Sequence, residues 1–265
     1  MHKATLEKLY KKYNRREFVH PDPLEFLYAY PDPLDREITA MVAACLAYGR
    51  VAQILRSLSI VLDKMVPSPR VFLDSTSENE LRRIYDGFVH RFARADHLVA
   101  LLVGIKGCIN RYGSLHNCFM DGMPTGKDSV LDGLARFVQY LLAVTTSDPG
   151  HLLPDPARGS ACKRLHLFLR WMVRKDAVDP GGWDGISPSL LIIPLDVHMF
   201  RIGHYLGFTR RKQANARAAL DITQGFRSVN HRDPVKYDFS LTRLGIRAET
   251  DFFVELNHVF GLPQK

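Results

Sequence analysis

A chain of 265 residues with 46% hydrophobic and 24% charged side chains can bury a sizeable core without disulfide or metal staples, which excludes both a disordered protein and a stapled mini-domain. Its formal charge of +8 is unevenly spread: residues 160–220 hold ten Lys or Arg against four Asp. Such a basic face attracts polyanions, nucleic acid first and an anionic membrane second, unless it is simply a solvated surface.

The four cysteines, Cys45, Cys108, Cys118 and Cys162, show no CxxC spacing and mostly sit among apolar residues, as small core fillers do. Neither a structural zinc nor an iron–sulfur cluster is expected. The first eighteen residues, MHKATLEKLYKKYNRREF, lack an apolar signal core, and no run approaches the ~18 apolar residues of a membrane span. The expectation is a reduced, cytoplasmic protein with no membrane partner, a monomer by default.

In chain order, Leu6, Leu9, Tyr10 and Tyr13 share one helical stripe, with Lys8, Lys11, Lys12 and Arg15 elsewhere around it. Two Pro-Asp-Pro tripeptides, at Pro21 and Pro31, favour extended or helix-starting backbone. From Asp35 the apolar residues Ile38, Met41, Val42 and Cys45 recur at offsets of three, four and seven, and Gly49 is placed to end that helix. A second helix carries Val51, Ile54, Leu55, Leu58, Val61 and Leu62 before Pro67. Tyr48, Gly49, Arg50 and Gln53 occupy the junction, which is either a tight turn or the lip of a cleft.

Further amphipathic helices centre on Leu98 to Ile109, ending at Tyr112-Gly113, on Leu115 to Met120, and on Val130 to Leu142. No comparable run of alternating β-branched residues appears and no internal repeat, so the fold class is all-α. Thr145 to Gly159 is a loop by composition and delivers the chain to a basic helix for which Ser160 is a plausible N-cap.

On that helix Leu165, Phe168, Leu169 and Met172 form the apolar stripe, while Lys163, His166, Arg170 and Arg174 share the opposite face. Lys163 falls in the first turn, where the positive end of the helix dipole favours a neutral amine. A lysine becomes a nucleophile at neutral pH when burial or neighbouring cations lower its pKa, and Arg164 and His166 are such neighbours. The same face could equally contact phosphates. Trp183, in a Gly-rich connection, is either a stacking group for a base or a plug over the core. Asp196 precedes a helix carrying His198, Arg201 and His204, and would accept its first backbone N–H groups, which also hold the carboxylate ionised.

The stretch PLDVHMFRIGHYLGF, residues 194–208, resembles the VDTHVxRVxxRLGL signature of the helix-hairpin-helix DNA glycosylases, with Asp196, His198, Arg201 and Leu206-Gly207 at the matching positions. Lys163 falls where bifunctional members carry their catalytic lysine. Its separation of 33 residues from Asp196 is wider than in the endonuclease III type and looks like the archaeal 8-oxoguanine glycosylase branch. The LPGVGxxTA hairpin is missing, with only Ala157-Arg158-Gly159-Ser160 near its place, and so is the four-cysteine cluster motif. Most of the chain also looks like an uncharacterised family of hypothetical proteins, through AACLAYGR at 43–50, ACKRLHLFLRWMVR at 161–174 and DPVKYDFSLTRLG at 233–245.

The resemblance implies one glycosylase-like unit over 1–265: two helical lobes, about 31–185 and about 1–30 plus 186–265, with a cleft between them. It implies a base-excision glycosylase with AP-lyase activity, in which Lys163 forms a Schiff base and Asp196 assists it on a flipped damaged base, an oxidised purine being one example. The substrate would be double-stranded DNA, and neither metal nor other cofactor is needed. Arg50, Gln53, Arg164, His166, Arg170, His198 and Arg201 would contact the nucleic acid, with Trp183 and Tyr48 as base-stacking candidates. The alternative is a non-catalytic or RNA-directed nucleic-acid-binding protein of the same fold.

Overall fold

Both Pro-Asp-Pro tripeptides resolve to helix starts, because in each the aspartate caps and the second proline takes a first-turn position that needs no N–H. Asp22 accepts from Leu24 N–H at 2.9 Å and opens a 3-10 segment, Pro23–Ala29. Asp32 accepts from Leu34 N–H at 2.9 Å and opens a helix, Pro33–Leu46. The computed structural model describes residues 3–126, 128–145 and 147–247. The tail of the expected second lobe, 248–265, lies outside the described residues.

Among them the chain is mostly helical, as its periodicity indicates. The helices are α1 Lys3–Tyr13, α2 Pro33–Leu46, α3 Val51–Leu62, α4 Pro69–Ser75, α5 Glu78–Ile84, α6 Ala95–Tyr112, α7 Leu115–Gly122, α8 Leu131–Ala143, α9 Lys163–Val173, α10 Val197–Tyr205, α11 Ala216–Val229 and α12 Asp238–Arg247. Strands β1 Val89–His90 and β2 Ala93–Arg94 form a small antiparallel hairpin. No single helix among the described residues is long and apolar enough to cross a membrane.

Helix α2 is the centre of the packing. Every residue from Ile38 to Leu46 is fully buried, and its alanines at 40, 43 and 44 let neighbours approach closely. It packs against α3, α4, α7 and α9 and against the Pro23–Ala29 segment, which the sequence boundaries had placed with the other lobe. Helices α6, α7 and α8 form a second layer in mutual contact. The third group joins the first and last described helices: α10 packs on α11 and α12, and α1 packs on α12, where Glu7 meets Lys236 at 2.7 Å and the Tyr237 hydroxyl at 2.6 Å.

Two stretches carry elements that the apolar pattern did not disclose. Residues 69–94 form α4, α5 and the hairpin, started by Ser68 and by a Ser77–Glu80 capping box. Residues 216–247 form α11 and α12. The cysteines behave as core fillers, all four free and buried.

Candidate functional site

Lys163 and Asp196 meet. The Lys163 Nζ lies 3.3 Å from the Asp196 Oδ2, with side chains 37% and 19% exposed, so the pair is sheltered yet reachable from water. Asp196 is the N-cap its sequence context suggests, its Oδ1 accepting the Met199 N–H at 2.8 Å at the start of α10 while its Oδ2 faces the lysine.

The lysine reaches this position through an unusual junction. Ser160 is not the N-cap of α9; Cys162 is, in the left-handed region at φ +41° and ψ +41°. A residue with a Cβ is rarely found there, and such strain persists only where its surroundings impose it. They do: Ser160 bridges Asn215, the Ala216 N–H donates to the Gly159 carbonyl at 3.0 Å, and the Cys162 N–H donates to the Ser160 hydroxyl at 3.3 Å. Lys163 is therefore the first residue of its helix.

The pair lines a cleft of about 600 Å³. From α9 come Lys163, Leu167, Arg170 and Trp171, at offsets of four, seven and eight, which is one helical face. Tyr48, Gly49 and Ile54 contribute from the α2–α3 junction, Pro21 and Pro23 from the first Pro-Asp-Pro, and Asp238, Phe239, Thr242 and Arg243 from α12. The Tyr48 junction is thus a cleft lip as well as a turn. Its hydroxyl donates to the His90 carbonyl and contacts His151 Nε2, each at 2.8 Å, and the Arg164 guanidinium stacks 5.1 Å over its ring. Arg164 also donates to the carbonyls of Cys45 and His151, so it braces this wall.

Other expected contacts lie elsewhere. His166 is 3% exposed and turns into the core, where burial pushes its imidazole down to about 4, so it is a core residue and not a nucleic-acid contact. Arg170 borders the cleft but is sequestered, its guanidinium held by Asp179 and Asp238. Trp183 is the plug of its two readings: 3% exposed, donating from Nε1 to Glu37 at 2.8 Å and packed edge-on to Phe168, it is not available to stack on a base. Arg50, Gln53 and Arg201 are exposed and outside the cleft lining, whereas His198 lines it beside Asp196.

Asp238 is the site residue that the sequence did not disclose. It is 3% exposed, lines the same cleft as Lys163 and Asp196, and is bound by Arg170. Burial pushes its carboxyl up to about 6, with Arg170 pulling the other way and Asp196 adding to the rise. Only its position in a Tyr-Asp-Phe run ahead of an amphipathic segment could have marked it.

The chain matches, over residues 22–247, the family described as "Protein of unknown function (DUF2400)". It belongs to that family. The matched span takes in both members of the pair and every cleft-lining residue except Pro21. No curated protein and no solved structure matches this DUF2400 chain.

Proposed function

We propose that the chain is a base-excision glycosylase with AP-lyase activity, similar in fold to the helix-hairpin-helix DNA glycosylases, acting on a nucleotide extruded into the cleft. The observation that carries this reading is the Lys163–Asp196 pair, 3.3 Å apart and 33 residues apart in sequence, on the wall of a cavity of about 600 Å³. That volume suits a single flipped base. In the two-lobe reading the cleft separates residues 31–185 from 1–30 plus 186–265, and a lining that includes residues of α9, α10 and α12 supports that reading.

The chemistry follows from the pair. Asp196 accepts the ammonium proton, and the free amine of Lys163 attacks C1′ of the sugar. The glycosidic C–N bond breaks, its electron pair leaving with the base, which takes up a proton. The carboxylate faces the positive charge that develops at C1′. Ring opening gives a Schiff base; loss of a C2′ proton then expels the 3′-phosphate with its bonding electrons and cuts the strand. Borohydride trapping on duplexes holding a damaged base or an abasic site tests this. The expected result is a covalent adduct with the wild-type chain and none with Lys163→Ala; a broad lesion panel yielding no Lys163-dependent adduct overturns the reading.

An RNA-directed or non-catalytic binding role with the same fold is the second reading. One observation favours it: where the glycosylase hairpin would present its loop to duplex DNA, this chain has a single 3-10 turn, Pro156–Arg158, before Gly159. Competition between DNA and RNA oligonucleotides separates the two.

A further inference from the structure

Residues 197–220 contain Arg201, Arg210, Arg211, Lys212 and Arg217 and not one Asp or Glu. The structure arranges this stretch as a circuit that leaves the Lys163–Asp196 pair and returns to it. From the Asp196 cap, Val197, Arg201 and His204 follow at offsets of one, five and eight along one exposed stripe of α10. At the far end of that stripe His204 Nε2 lies 2.7 Å from the Arg211 carbonyl, which ties the stripe to the next loop. That loop is fixed in turn: the Thr209 hydroxyl and Arg211 both bond Asp221, at 3.1 Å and 2.7 Å. It then closes against the start of the α9 segment through the Ser160–Asn215 bridge and the Ala216-to-Gly159 hydrogen bond, three residues from Lys163.

Within this frame Arg211 is consumed by Asp221, but Arg201, Arg210, Lys212 and Arg217 are exposed, and among the described residues no ion pair engages them. Four exposed cations on this frame, with Asp221 taken up by Arg211 and Thr209, carry a surplus of positive charge that attracts an external anion. The cleft beside that rim, lined by Ser160, Asp196 and His198 from the same stretch and its bridge, suits a ligand whose anionic groups are spaced along a line, so that one unit can enter while its neighbours stay outside. A nucleic-acid backbone has that pattern, one charge per nucleotide.

We propose that Arg201, Arg210, Lys212 and Arg217 form a phosphate-binding rim that grips the strand on either side of the nucleotide entering the cleft, in place of the absent hairpin. The proposal rests on the reading of the cleft as a nucleotide site, but not on the lyase chemistry within it. The rim contributes side-chain charge, whereas a hairpin loop contributes backbone N–H groups. Its grip is therefore sequence-independent and strongly dependent on salt.

The test is the salt dependence of binding to an unmodified oligonucleotide, duplex and single-stranded, read by anisotropy with no turnover required. Four phosphate contacts give a slope of roughly −3.6 in log K against log salt on duplex and roughly −2.8 on a single strand, or roughly a hundredfold loss of duplex affinity from 50 to 200 mM salt. In the variant Arg201→Gln/Arg210→Gln/Lys212→Gln/Arg217→Gln that component of the slope is expected to vanish. A control variant, Lys8→Gln/Lys11→Gln/Lys12→Gln, removes three exposed charges from α1, which lines no part of the cleft, and is expected to keep most of the wild-type slope.

All substituted side chains are exposed, so unchanged thermal midpoints confirm folding. The proposal is overturned if the rim variant keeps the wild-type slope, if the control loses as much as the rim variant, or if the rim binds vesicles of anionic lipid and not oligonucleotides. A wild-type chain that binds with the expected slope yet forms no borohydride adduct would sink the lyase reading and leave the rim intact.

Discussion

One helix treats its cations in two opposite ways. Arg170 and Arg174, toward the end of α9, are each 4% exposed and sit in a closed network with Asp176, Asp179, Asp233 and Asp238. Burial works against both charges, but the surrounding carboxylates outweigh it and hold the guanidinium groups protonated. Lys163, two turns earlier, has one carboxylate at 3.3 Å and remains 37% exposed. The network's guanidinium groups are each held by two or more carboxylates. The lysine lines the cleft, and its partner Asp196, 19% exposed, lines the same cleft. Ion pairs on the same face of the same helix thus divide into those that fix the wall of the cleft and the one left open to it.

Breaking the network should have the largest effect. Asp179→Ala strips a shared carboxylate from two buried arginines, and removing one partner of such a cluster costs about 3–5 kcal/mol, a large share of a typical ~5–15 kcal/mol stability. Urea unfolding measures it, and a loss under ~1 kcal/mol, the level of surface pairs, would erase the contrast. His166, on the same helix, sharpens it through pH. Its folded pKa of about 4 lies below the ordinary 6.5, so the native state binds fewer protons in that window and stability falls as pH drops from 6.5 toward 4. At most about 3 kcal/mol is at stake. His166→Leu should flatten the thermal midpoint over that range relative to wild type; taking the difference cancels the opposite contribution of Asp238, whose raised pKa makes acid favourable between its two values. An unaltered acid slope would place the imidazole in water.

The smallest effect belongs to the Lys163–Asp196 pair. Asp196→Ala loses the α10 cap and should cost about 1 kcal/mol, while Asp196→Asn keeps the cap and loses only an ion pair worth roughly 0–1 kcal/mol. Equal destabilisation by the two would mean that Lys163, not the cap, is what Asp196 contributes to the fold.

The helical class, and the long helices α2, α3, α6, α8 and α9, were legible because their apolar residues keep a 3.6-residue period over three turns or more. Helices α4 and α5 were not, since seven residues give too few repeats to register. At the site, Lys163 and Asp196 were legible through their helix-start positions and their spacing in the sequence. The fates of His166 and Arg170 were not, although they share that face in sequence. A shared face says which direction side chains leave the helix, whereas burial depends on what packs against it, as Asp179 and Asp238 do on Arg170. Asp238 was hidden for the same reason: its importance is a property of the partner it meets, Arg170, across 68 positions of sequence.

The bend at Cys162 sets the rotational phase of α9. Each helical residue turns the chain by about 100°, so the point at which the helix begins decides which side chain faces Asp196. The bridge between Ser160 and Asn215 and the left-handed backbone at Cys162 hold that starting point like an index mark on a dial. Advancing the dial by one residue would present Arg164, a planar guanidinium with a rigid fork of donors, where a compact amine now stands.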